Sequence, residues 1–414
     1  MSQKNSKNTK VNDLTPIDSE SRLNHIDSLR GFALLGILLV NMLAFQYGIF
    51  GQEFIYPDLI AHDQGTYFII QWLLQGSFYP IFSIMFGFGA VIMWERATAK
   101  QRPFNLVFIR RLLILLVIGF FHLYFIWDGD ILMTYAIAGF LFIFFIKRHV
   151  KTIAIWFISL VLLMNAPMLI PDEEGTDYLH LDKYGEYEQS ILAEGSYQEI
   201  FTHRLTANPF QKAELAENVS EVELTAILFV MSAVNTIMTI VQAFVLFLLG
   251  GIIAKKRWLH QLNQSTSFLV KTAIIATVTG VVIKLGFVLS DNINVTQFSY
   301  LVGGPILSIG YISTFAVLYQ KLANHKQIFD GFAFVGRMAL TNYLTQSIVM
   351  TTFFYGYGLG LLGKLGTFLG TILAIALFVV QIFMSKWWLR RYNHGPMEAF
   401  WRTGTYLNVQ KMKK

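Results

Sequence analysis

Hydrophobic residues fall in long, nearly unbroken runs, and short charged segments separate them. The runs lie near 31–50, 66–94, 110–127, 131–146, 150–170, 224–254, 266–289, 298–320, 333–356 and 363–389. Most reach the roughly 20 residues that a helix needs to cross a hydrocarbon core. The pattern predicts an all-α fold, a polytopic transmembrane helix bundle of about ten spans in which the fourth and fifth form a tight hairpin. No low-complexity tract or repeat stands out. The flanks of the runs give no sign of the paired broken helices found in inverted-repeat transporters.

Composition fits a membrane protein and removes other classes. Of the 414 residues, 54% are hydrophobic, 15% aromatic and only 14% charged, with a mean hydropathy of +0.50. A soluble domain carries about 25% charged residues. The net charge of +6 does not point to nucleic acid, because in such a chain the informative quantity is which loops hold the charge. Basic residues sit in alternate segments: Lys4 to Arg30, Arg96 to Arg111, Lys147 to Lys151, Lys255 to Lys271, Lys321 to Arg337, and Lys386 to Lys414. By the positive-inside rule both termini are then cytoplasmic. The segment between the fifth and sixth spans, 171–223, is the opposite, with thirteen acidic side chains. It reads as an extracytoplasmic loop, either solvated or folded as a lid. The chain thus divides into a flexible cytoplasmic tail (1–21), one transmembrane domain (22–389) and a basic interfacial tail (390–414). The first span, Phe32 to Phe50, reads as a retained signal anchor. Cysteine is absent, which excludes disulfides and thiolate chemistry.

Polar groups inside apolar helices are costly in lipid and are functional candidates for that reason. In the first span, Asp27 and Arg30 share a helix face, Gly31 and Gly36 allow close helix approach, and Asn41 places an amide deep in the segment. Beyond it lie His62 and Asp63, a histidine beside a carboxylate and so a candidate base. His122 follows within an aromatic helix, with Asp128 and Asp130 in the turn beyond. Asp130 is equally suited to capping the next helix. Arg110 and Arg111 open the third span, where they either set topology or clamp phosphate. The run GRMALTNYLTQS adds Arg337, Asn342 and Gln346 on one helical side. Lys284 lies near the end of its span and is expected to snorkel outward. Gly87 and Gly89 in FSIMFGFG read as packing positions. No metal-ligand spacing stands out.

RLNHIDSLRGFALLGILLVN, FSIMFGFG, IRRLLILLVIGFFHLYFIWDGDILMTYAIAG and WWLRRYNHGPMEAFWR together resemble the bacterial YeiB family of polytopic membrane proteins over nearly the whole chain. DSLRG followed by an intramembrane Asn is also similar to the opening of the heparan-alpha-glucosaminide N-acetyltransferase family. That resemblance implies a multi-pass acyltransferase of the bacterial inner (plasma) membrane, with no tightly bound cofactor. Acyl-CoA would enter from the cytoplasm as co-substrate, and a glycan acceptor would be met outside. It gives catalytic roles to Asn41 and His62, with His122 competing for the latter and Asp128 and Asp130 beside it. CoA phosphates would meet Arg30, Arg110, Arg111 and Arg337, and Asn342 and Gln346 would contact substrate. Partners would be membrane lipids, acyl-CoA, the acceptor and, in a homodimer, a second copy, without nucleic acid. The alternative is a transporter or flippase for an anionic or lipid-linked solute.

Overall fold

In the computed structural model, residues 23–169, 181–206, 221–409 and 412–413 are described. The tail 1–21, Arg22, and the loop stretches 170–180 and 207–220 lie outside them. Every described element is helical apart from one isolated bridge, Tyr392 with Lys413. Among the described residues, eight helices are long and apolar enough to cross a membrane. Two of the ten expected spans fall short of that measure for different reasons. α5 (Leu132–Ile146) has fifteen residues, about 22 Å of helix, because the preceding segment Trp127–Ile131 is not helical. The ninth span is divided at Met338 into α13 (Lys326–Arg337) and α14 (Ala339–Phe354).

α1 (Asn24–Tyr47) is the hub. It touches α3 (Tyr79–Ala99), α12 (Gly304–Lys321), α13, α14 and α15 (Gly366–Arg391), and it buries residues around its whole circumference. Its glycines make this possible. A Cβ on Gly31 would collide with the Phe332 backbone, and one on Gly36 with the Phe78 ring. Gly336 meets the Asp27 carbonyl in the same way, so α1 and α13 are in backbone contact. Gly87 of α3 likewise sits on the Phe247 backbone of α9 (Glu221–Lys255), as its packing role predicts.

The periphery is apolar. α6 (Val150–Asn165) exposes Ile155, Trp156, Ile158, Leu162 and Leu163, and α10 (Leu262–Leu289) exposes Ile274, Ile275, Val278 and Val282. This surface is what a helix bundle presents to lipid.

Broken helices, absent from the sequence reading, are present. α2 (Ala61–Ile69) passes through a π-helical turn, Ile70–Leu74, and then breaks at Gln75–Phe78 before α3. Gly76 adopts φ +73° there, a conformation that an L side chain resists. A second π turn, Ser299–Gly303, joins α11 (Ile293–Phe298) to α12. Both turns pack on α10, and a Cβ on Gly304 would strike the Gly76 carbonyl.

Candidate functional site

The site is assembled from α4 (Phe104–Phe125), whose buried face carries Val107, Phe108, Leu112, Leu115, Ile118, Gly119 and His122. Arg111 and His122 are eleven residues apart, which is three turns and about 16 Å of rise, so both lie on this face. Arg110 is turned about 100° away. α1 repeats the spacing, since Arg30 and Asn41 are also eleven apart. The two helices run in the same direction through the bundle, each with a guanidinium near its start and a polar group well above it.

His122 and Asp130 form a closed pair. Nδ1 of His122 is 2.8 Å from Asp130 Oδ1, and both side chains are fully buried. The other carboxylate oxygen accepts from the Met133 backbone N–H at 2.8 Å, so Asp130 caps α5 and orients the histidine at once. With Asp130 as the acceptor of this bond, the imidazole proton sits on Nδ1 and Nε2 carries the lone pair. Nε2 is buried and has no hydrogen-bond partner. The imidazole ring lies 5.1 Å from the Tyr343 ring and 6.4 Å from the Trp127 ring, centroid to centroid. Trp127 in turn stacks on Phe45 of α1 at 4.2 Å, one helical turn beyond Asn41. Asn41 itself is half-buried.

The short α5 explains why the two aspartates do not lie at the surface. Trp127–Ile131 runs down into the bundle, and one Asp128 oxygen is buried without a partner. Over this region fold α7 (Leu181–Glu194) and α8 (Tyr197–Thr206). Glu188 accepts from the backbone N–H groups of Ile49, Phe50 and Gly51. The Tyr197 hydroxyl donates to the Phe125 carbonyl at 2.8 Å, and Gly356 N–H to that of Leu192 at 2.8 Å. The described part of the acidic segment is therefore docked on the bundle. Arg204 of α8 reaches the Tyr355 ring with three nitrogens buried and unpartnered.

Burial and the nearby Asp128 charge push the Glu188 carboxyl up to about 7, against the pull of its three backbone donors. The folded chain thus binds this proton more tightly than the unfolded one. Stability from the docked lid is greatest on the acid side and falls as pH rises from the usual carboxylate range through about 7. Hydrogen exchange of 181–206, corrected for intrinsic rates, is expected to show stronger protection at about pH 5 than at about pH 8. Glu188→Gln should flatten that difference.

At the opposite end of α4 the guanidiniums gather. Arg111 stacks on Trp401 of α16 (Pro396–Tyr406), 3.8 Å from ring centroid to Cζ, while the Trp401 indole N–H donates to the Arg111 carbonyl. Arg30 and Arg402 are close enough to repel it. The Arg111 guanidinium itself forms no ion pair among the described residues. Arg30 is held by Asp27 at 3.2 Å, and Arg337 follows the contact of Gly336 with Asp27. The tail is thus part of the site. Glu398 fixes it there by accepting from Leu340 N–H, Thr341 N–H and the Thr341 hydroxyl at the start of α14. Glu398→Ala is expected to leave these donors unpaired at about 1–3 kcal/mol each. A lowered thermal midpoint and a more quenchable Trp401 fluorescence would check this.

Other candidates are placed elsewhere. His62 is 60% exposed and 3.6 Å from Asp63. Asp63 is spent on α15, accepting from Phe368 N–H and the Thr367 hydroxyl. Asn342 donates to the Val335 carbonyl and Ser385, and Gln346 to Gln381. These amides zip α14 to α15. Arg110 has no polar partner among the described residues and stands off the Arg111 face. Lys284 does not snorkel. It is fully buried, because Gly303 beside its stem leaves room for it to fold inward. Sequence reasoning overlooked Arg402, Trp401 and Glu398 as site components. Their signal was a carboxylate and arginine at helical spacing inside an aromatic tail.

Comparison with known proteins adds the following. Residues 253–408 match a family described as Protein of unknown function (DUF418). The chain is 34% identical over 414 residues to the uncharacterized protein YxaH of Bacillus subtilis (strain 168), covering 98% of this chain and 99% of that one. It is 26% identical over 414 residues to an uncharacterized 39.9 kDa protein in the amylase 3' region of Bacillus acidopullulyticus, covering 95% and 96%. With the uncharacterized protein YeiB of Escherichia coli (strain K12) it shares 25% identity over 397 residues, covering 91% and 94%.

Proposed function

The chain belongs to the YeiB family of bacterial polytopic membrane proteins, and from that premise we propose that it is a membrane-embedded acyltransferase. It takes an acyl group from acyl-CoA on the cytoplasmic side to a sugar or lipid-linked glycan at the outer face of the plasma membrane. The observation that carries this reading is the pairing of two groups on one face of α4, the Arg111 guanidinium stacked on Trp401 at one end and the unpartnered Nε2 of His122 at the other.

In this reading the basic end of the bundle is cytoplasmic, in keeping with the distribution of Lys and Arg. Arg30, Arg111 and Arg402 hold the CoA phosphates, with Arg337 and Arg110 at the rim, and the stacked Arg111 offers a pre-organised fork. The pantetheine arm then follows the Arg30–Asn41 and Arg111–His122 lines into the bundle. Nε2 of His122 removes the proton from the acceptor hydroxyl or amine, whose lone pair attacks the thioester carbonyl. Asn41 donates to the carbonyl oxygen as negative charge develops on it. The C–S bond breaks, the acyl group stays on the acceptor, and the CoA sulfur leaves and takes up a proton. Asp130 stabilises the imidazolium formed in between. Asp128, Glu188 and Arg204 ring the acceptor's approach under the lid.

Binding tests the first half. Acetyl-CoA should raise the melting temperature of the purified protein, and Arg111→Ala should remove the shift. A shift that survives in Arg111→Ala and Arg402→Ala alike would refute the clamp. A second reading, transport of an anionic or lipid-linked solute, draws on the broken α2–α3 helix. Solute uptake by vesicles without CoA would favour it.

A further inference from the structure

We propose that Lys284 is the anchor of a second site, distinct from the His122 and Arg111 sites, that binds the singly charged anionic group of an amphipathic molecule entering from the lipid. The amine is fully buried, its Nζ has no hydrogen-bond partner, and it forms no ion pair among the described residues. An uncompensated ammonium in such surroundings is several kcal/mol unfavourable unless a counter-charge arrives. The protein provides only aromatic faces, Phe287 at 3.8 Å and Tyr300 at 6.0 Å, which favour the cation without neutralising it.

The surroundings are built for a ligand in three further respects. First, Lys284 lies where both π turns pack on α10. Tyr300 belongs to one of them and covers Gly76 at the break following the other. Such turns are rare and collect at functional sites. Second, the side-chain oxygens of Gln71 and Gln75 are buried without partners in the same broken segment, as is the hydroxyl of Tyr79, whose ring lies 6.2 Å from that of Tyr300. Third, the adjoining surface of α10 and α11 exposes Val278, Val282, Val295 and Phe298, which suits an acyl chain.

The number of charges sets the ligand class. One ammonium matches a carboxylate or a phosphodiester better than a dianionic phosphate. Glu53 lies near Tyr300 on the water side, and its charge discourages small anions from that direction. A fatty acid and an anionic phospholipid both carry the required group, and the site is independent of whether the acyl-transfer reading holds.

The full-length protein purified in neutral detergent would be melted with decanoate, decanol, phosphatidylglycerol or phosphatidylcholine. The expected result is a dose-dependent rise in melting temperature with at least one of the two anions and with neither neutral control. A decanoate response marks a free acid, a phosphatidylglycerol response a lipid. Lys284→Met should lose the response while melting higher than the wild type without ligand, and Tyr300→Phe should weaken the response severalfold. Absence of any anion-specific shift in the wild type overturns the proposal. So does a shift undiminished in whichever of the two variants accumulates.

Discussion

Replacing His122 by Ala is expected to abolish release of CoA thiol from acetyl-CoA in the presence of an acceptor, with binding of acetyl-CoA retained. General-base assistance of this kind contributes roughly 10²–10⁴-fold, so the residual rate should fall near background. The expectation rests on the free Nε2 and on the proton held at Nδ1 by Asp130. Asp130→Asn gives the orientation test. An amide can donate to Nδ1 and invert the tautomer, so the variant should keep the fold and lose most of the rate. His62→Ala is the internal control, because an exposed ring more than half in solvent is not placed to act in a buried transfer. Measuring thiol release with a chromogenic disulfide across the three variants separates the two histidines. A wild-type rate in His122→Ala would move the base elsewhere.

Arg111→Ala is the second large effect, and it should appear in affinity. Charge-assisted hydrogen bonds are worth about 1.5–3 kcal/mol each, so losing even one of the two in this fork weakens acetyl-CoA by roughly tenfold to a hundredfold. Arg111→Lys should recover little, since an ammonium offers no planar fork and stacks poorly on Trp401. Arg402→Ala should resemble Arg111→Ala, and Arg110→Ala should not. This ordering distinguishes a phosphate site from general attraction to a basic surface, where the two neighbouring arginines of α4 would count alike. Isothermal titration of purified protein at fixed salt reads all four.

Much of this was visible in the sequence, for identifiable reasons. The spans were legible because a helix in lipid must be apolar all round, and the roles of Gly31, Gly36 and Gly87 followed from small residues in such helices. Asp27 with Arg30 is a local pair, three residues apart, and local pairs can be read from spacing. The His122–Asp130 pair was half legible. The spacing showed a histidine below two aspartates, but the fifteen-residue α5 that draws Asp130 inward could not be inferred from hydropathy.

What remained hidden depends on distant partners. The sequence suggests substrate contact for the amides of Asn342 and Gln346, whereas in the fold Ser385 and Gln381 pair with them. Lys284 looked free to reach water because a helix end allows it, and only the packing of Gly303 shows the side chain turned inward. The break at Gly76 arises from contact with Gly304 and Tyr300, more than two hundred residues away. Arg402 belongs to a tail whose position is set by Glu398 at the start of α14. In each case local pattern gave the element and tertiary contact gave the role.

If the acyl group passes from one end of the bundle to the other, donor and acceptor must act from opposite faces of the membrane. Protein reconstituted in sealed vesicles with a known orientation would receive acetyl-labelled CoA at the face bearing the Arg30–Arg111–Arg402 end, and a glucosamine-containing acceptor at the other face only. Free CoA is expected to accumulate on the first side and acetylated acceptor on the second, in equal amounts and only when His122 is present. Thiol release that requires donor and acceptor on the same side, or no release while acceptor and acetyl-CoA are both bound, would contradict it.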